Sequence, residues 1–170
     1  MTGEQVVIRR GSLSDEAEFL TAVDRSRGLH HPWVQPPNTP AAYRDYLSKH
    51  QEPQGIAFFI WLEASRGLVG VVNVSEIVQG CFRSAYLGYY AFVPFAGRGL
   101  MKEGLAQVIT HAFQVSKLHR LEANIQPANR TSKALVKKLG FRREGLSPRY
   151  LKINGRWRDH ERWAILSEDW

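Results

Sequence analysis

The 170-residue chain is poor in cysteine and in long apolar runs. Its one cysteine, Cys81, cannot close an internal disulfide, and no histidine is spaced with it as zinc ligands are. A disulfide scaffold and a cysteine-built metal site are therefore excluded, and no metal is expected. No apolar stretch approaches the ~18 residues of a membrane-crossing helix, and the N-terminal MTGEQVVIRR has no signal-peptide core. A soluble, cytoplasmic protein with no membrane partner is the expectation. Low-complexity tracts, linkers and internal repeats are also missing. Acidic residues are the minority sign, 16 against 23 Lys and Arg, for a formal charge of +7. The basic residues are scattered, with small clusters at Lys137-Lys138, Arg142-Arg143 and Arg156-Arg158. No nucleic-acid recognition motif accompanies them, so a solvated surface is expected and sequence-specific nucleic-acid binding is not.

What is present is an ordinary globular mixture, 44% hydrophobic and 23% charged, with length for one good core. One domain over 1–170 is expected. Residues 6–9 read as a strand and 14–25 as a helix opened by a Ser/Asp cap. The segment GLHHPWVQPP reads as an irregular loop, after which Thr39-Pro40 caps a second helix. Residues 56–62, 68–78 and 84–92 form an antiparallel meander, and from Gly99 the period becomes helical. A half-buried strand follows at 121–125, then a helix from Asn129 to Leu139 stopped by Gly140. Asn154-Gly155 is the strongest hairpin signal in the chain, joining RYLKI to RWRDHERWAIL.

The informative segment is YLGYYAFVPFAGRGLMKEGL, a strand, a glycine turn and an amphipathic helix. Such a turn gathers backbone N–H groups at a helix N-terminus, where partial positive charge suits a phosphate or pyrophosphate. Gly97 and Gly99 allow close backbone approach, Arg98 adds a charge, and Leu100, Met101 and Lys102 open the helix. A Rossmann fingerprint would need glycine where Lys102 stands, and no Walker Gly-Lys-Ser/Thr occurs. A plain capping turn fits GRG equally well. The second segment, HRLEANIQPANRTSKALVKKLGF, is a strand, a turn and a basic helix. Asn129 and Ser132 lie three apart and can face one groove, although an N-cap role alone accounts for Asn129.

Together the two segments resemble the central motifs of the GNAT superfamily of acetyltransferases. Within it, YLGYY, GRGLM, HR-x-EAN, LGF-x-x-EG and NG-x-WRDH are most similar to RimJ-type ribosomal-protein alanine N-acetyltransferases. The likeness is dense from about Val69 onward. It implies an α/β (α+β) fold with a central mixed, mostly antiparallel twisted sheet flanked by helices. It also implies acetyl-CoA as cosubstrate and the N-terminal α-amine of a ribosomal protein as acceptor. Acetylation of a small amine such as an aminoglycoside or polyamine is the alternative enzyme reading. A ribosome- or RNA-associated acetyl-CoA-binding factor with little catalysis is a third, and monomer or homodimer stays open. Two positions depart from the family pattern: Ala96 stands where Gln or Arg is expected, and Met101 where a small residue is.

The resemblance further implies that pantetheine binds the strand backbone at Tyr90, Ala91 and Phe92, and that the pyrophosphate lies on residues 97–102. Glu122 matches the family's catalytic glutamate, and strand alternation sets it with Asn124 opposite Leu121, Ala123 and Ile125. A surface ion pair is the competing role for Glu122. The tyrosine that serves as acid in relatives falls at Val136, so another acid or solvent must protonate the thiolate, and Ser132 is a candidate. Trp33 and His31 in the aromatic loop are the candidate acceptor contacts. Asp159 and His160 are adjacent on a strand, point to opposite faces and are read as structural. Cys81 is expected to be a small buried residue.

Overall fold

The computed structural model describes residues 3–170. Seven strands form one sheet in the order β1-β2-β3-β4-β5-β7-β6. They are β1 (Val6–Arg10), β2 (Ile56–Leu62), β3 (Leu68–Val78), β4 (Ser84–Ala91), β5 (Arg120–Ile125), β6 (Arg142–Ile153) and β7 (Arg156–Leu166). Only β4 and β5 pair in parallel; every other neighbour is antiparallel. The helices are α1 (Glu16–Arg25), α2 (Arg27–His30), α3 (Pro40–Lys49), α4 (Leu100–Gln114) and α5 (Arg130–Lys138).

Strand β2, IAFFIWL, is buried at every position because both faces of the sheet are covered there. Ile56, Phe58, Ile60 and Leu62 enter the core shared with α4 and α5, alongside Leu105, Val108, Ile109 and Val136. Ala57, Phe59 and Trp61 enter the opposite core, with Phe19 of α1 and Tyr43 and Tyr46 of α3. Helix α4 approaches β2 closely because Gly104 presents no side chain to Ile60.

The Thr39 cap forms, accepting a hydrogen bond from the Ala42 N–H at 3.1 Å. The Ser/Asp cap sits earlier than expected: Asp15 accepts from the Ser12 N–H at 2.9 Å and closes a 3-10 turn over Leu13–Asp15, after which α1 starts at Glu16 without a side-chain cap. Asn154 and Gly155 both have positive φ, 52° and 77°, as a two-residue turn matching strand twist requires. Two further expectations need correction. The loop after α1 does not begin irregularly: residues 27–30 make a helical turn, closed by the His31 N–H donating to the Arg27 carbonyl. Cys81 is exposed and not buried, because the turn between β3 and β4 projects it away from both cores.

Candidate active site

The one parallel pairing is short. Ser84, Ala85 and Tyr86 pair with Arg120, Leu121 and Glu122, after which β4 continues to Ala91 and β5 to Ile125 without each other. The edge of β4 that faced β5 thus loses its strand partner, and backbone groups there become available to a ligand. The far end of β4 is held by the turn between α1 and α2. His30 Nε2–H donates to the Ala91 carbonyl at 2.7 Å, Arg25 Nε–H to the Val93 carbonyl at 2.7 Å, and the Val93 N–H to Ser26 Oγ at 3.1 Å.

A cavity of about 560 Å³ opens at this separation. Its walls come from β4 (Tyr89, Tyr90, Ala91), the α2 region (His30, Trp33) and the starts of α4 and α5. At its α4 end, Gly97 and Gly99 hold φ of 79° and 81°, the left-handed region glycine enters without strain. Ala96 N–H is spent on the Phe92 carbonyl and Lys102 N–H on the Gly99 carbonyl. Between them, the amides of Gly97, Arg98, Gly99, Leu100 and Met101 have no acceptor among the described residues. Five free donors at the mouth of a 15-residue helix make an anion cradle that needs no side-chain charge. The residues present therefore fit a pyrophosphate, and Ala96 in place of Gln or Arg does not remove the donors.

At the α5 end, Asn129 caps the helix by accepting the Ser132 N–H at 3.2 Å. Ser132 Oγ lies 2.7 Å from the Tyr89 hydroxyl. Burial pushes the Tyr89 hydroxyl above its ordinary value, only partly opposed by the Ser132 hydrogen bond, so it stays protonated at neutral pH. Val136, at the family's tyrosine position, is wholly buried in the core.

Of the residues expected from the sequence, Trp33, Tyr90, Ala91, Gly97, Gly99, Met101, Lys102, Asn129 and Ser132 line this one cavity. Phe92 and Leu100 are core residues and are outside the cavity lining. Arg98 turns outward to pair with Glu4 and lie over Phe95. Met101 is accommodated because Gly70 on β3 leaves the space its sulfur occupies. Glu122 is outside the cavity lining and pairs with Arg120 at 2.8 Å, where Arg120 also holds Glu144 at 2.6 Å. His31 is exposed, whereas the neighbouring His30 is buried and lines the cavity. Burial lowers the His30 pKa, partly offset by its bond to Ala91, and its Nδ1 has no partner. Sequence alternation could not separate the two histidines; the helical turn does. Tyr89 was also missed, its signal being only odd-numbered placement on β4 with Ala85 and Leu87.

Residues 5–142 match the acetyltransferase (GNAT) domain model. The chain belongs to the GNAT acetyltransferase family. Its sheet, opened between β4 and β5, is the GNAT fold, and the protein is an N-acetyltransferase of that type. It is 40% identical over 119 residues to the [ribosomal protein uS5]-alanine N-acetyltransferase of Escherichia coli, a match covering 69% of this chain and 61% of that protein. Mycobacterium smegmatis RimJ in complex with CoA-disulfide superposes with a TM-score of 0.87 at 29% identity, over 96% of this chain and 82% of that one. The ribosomal-protein-S5-alanine acetyltransferase of Vibrio fischeri gives 0.86 at 27% identity, over 100% and 97%. No helix among the described residues is long and apolar enough to cross a membrane.

Proposed function

We propose that this GNAT domain transfers the acetyl group of acetyl-CoA directly to the N-terminal α-amine of a protein, with a ribosomal protein as acceptor, in the cytoplasm. One observation carries the reading: the cavity where β4 loses β5 is walled at its α4 end by Gly97, Gly99 and Met101, in a turn whose amides have no partner among the described residues. Acetyl-CoA would supply the activated thioester, and residues 97–101 would hold its pyrophosphate. Similarity to the E. coli enzyme and to a CoA-bound RimJ supports the cosubstrate and the acceptor class.

The chain's residues divide the remaining work. An amine is nucleophilic only as the free base, and an α-amine of pKa about 7.7–8.0 is nearer to that form at neutral pH than lysine at about 10.4. That difference, worth roughly 3 kcal/mol, lets a modest base suffice. Glu122 is assigned that role; it lies at the last β4–β5 pair, opposite Tyr86, and acts by accepting the ammonium proton directly or through water. Ser132, whose hydroxyl lies 2.7 Å from that of Tyr89, is positioned to hydrogen-bond the departing sulfur, and solvent water supplies the proton that the thiolate takes up.

The test is thiol release from acetyl-CoA with three acceptors: a peptide beginning with Ala or Ser, the same peptide blocked at its α-amine but containing lysine, and spermidine. Acetylation of the first in preference to the others is expected. Preference for the blocked peptide, or for spermidine with neither peptide used, would overturn the acceptor assignment.

A further inference from the structure

Three glycines stand inside strands: Gly70 in β3, Gly88 in β4 and Gly145 in β6. Glycine weakens a strand, so each needs a reason. An added Cβ at Gly70 would lie 2.3 Å from the Met101 sulfur, and one at Gly145 would lie 2.7 Å from Arg162 Nη2. Packing therefore explains those two. Gly88 has no such reason within the protein. No atom lies within 4 Å of a Cβ added there, and its φ is outside the left-handed region. The β3–β4 register also runs without a bulge from Gly70–Ala91 to Ser75–Tyr86, so no irregularity calls for glycine. Gly88 is exposed in the middle of a central strand whose adjacent residue Leu87 is buried on the other face.

Its place in the sheet supplies a reason outside the protein. Tyr86 stands opposite Glu122 in the last β4–β5 pair, and alternation puts Gly88 on the same face, about 7 Å further along β4. On its other side Gly88 pairs with Asn73 of β3, whose Oδ1 accepts a hydrogen bond from the Tyr46 hydroxyl of α3. The helical cover of this face thus reaches Asn73 and leaves Gly88 bare. Further along β4 come Tyr90 and Ala91, which line the cavity. The way from Glu122 to the β4 wall of the cavity therefore crosses the α-carbon of Gly88. We infer that Gly88 is a specificity-determining residue: the space above it takes the side chain of the acceptor's first residue while the amine turns to Glu122. The inference rests on the α-amine acceptor and on the base proposed above. The Tyr86 phenol occupies the flank on one side of that space, and any side chain at 88 would fill the space itself. A strand favours β-branched and aromatic residues at such a position, so glycine here costs stability and gives room to a ligand.

The test uses two short peptide amides, identical except that one begins with Ala and the other with Gly. Gly88→Val should raise KM for the Ala peptide about tenfold and for the Gly peptide by less than about threefold, with the Kd for coenzyme A unchanged. Its Tm should hold or rise by up to about 4 °C, because valine suits a strand and meets no atom there. Gly88→Ala adds a single carbon and should move the Ala-peptide KM in the same direction by less. An unchanged Ala-peptide KM in both variants, an equal rise for the two peptides, or a matching loss of coenzyme affinity would overturn the role of Gly88 alone. Wild-type enzyme that acetylates spermidine or an α-blocked lysine peptide, and neither free peptide, would overturn the acceptor assignment and this inference with it.

Discussion

Gly99→Val separates what the glycine turn does for the fold from what it does for the coenzyme. Gly99 sits at φ 81° and ψ −9°, so any other residue pays about 1–2 kcal/mol for left-handed backbone there, and a β-branched one at least that. No atom lies within 4 Å of an added Cβ, so no clash with the protein adds to this. For a chain of this size, 1–2 kcal/mol corresponds to a Tm lowered by roughly 2–8 °C. The effect on the ligand is larger. The new side chain would project from the turn bearing five free amides, and each displaced hydrogen bond to a charged pyrophosphate is worth about 1.5–3 kcal/mol. Loss of one bond predicts a Kd for coenzyme A raised about 10- to 100-fold, and loss of two about 100-fold or more. Gly80→Val is the matched control. Gly80 has φ 77° and equally open surroundings but lies in the β3–β4 turn, so it should cost similar stability and no affinity. Calorimetric titration with coenzyme A and thermal melts of the free protein give both readouts. Equal coenzyme affinity in the two variants would refute the assignment of the pyrophosphate to this turn.

Three further outcomes are expected. Glu122→Gln should lower turnover by up to about 100-fold while coenzyme affinity holds, because a base acts in the transition state; unchanged turnover across the pH range would place the base elsewhere. His30, His111 and His160 are each held below the ordinary value of 6.5, mainly by burial. As pH falls through about 6.5 the unfolded chain protonates first, so stability should decline from there toward the lower folded values, and a Tm flat between pH 7.5 and 5 would contradict this. Gly104→Val should destabilise by at least about 1–3 kcal/mol, since its Cβ would stand 2.4 Å from Ile60 Cδ1 at the α4–β2 contact; denaturant melts with an unchanged midpoint would show that the contact yields.

Local chemistry was legible from the chain alone. Thr39-Pro40, the Asn154-Gly155 turn and Gly140 at φ 90° each depend on a few neighbouring residues, and each forms as the residue types require. The glycines at 97 and 99 were legible for the same reason, as was the alternation that turns Leu121, Ala123 and Ile125 inward. What the chain alone determined was therefore most of the elements, the Thr39 and Asn129 caps and the glycine turn before α4. Tertiary structure decided which polar groups are spent and which are free. Arg98, whose charge suits a phosphate, is engaged by Glu4 more than ninety residues earlier. His30 and not His31 enters the cavity, because a single turn of helix rotates adjacent side chains by about 100°. Arg162 and Asn124 become neighbours only through the β5–β7 register, and Tyr89 meets Ser132 only because β4 and β5 part. Local pattern fixes backbone conformation through short-range sterics and hydrogen bonds, whereas hydrogen-bond partners distant in sequence are chosen by packing.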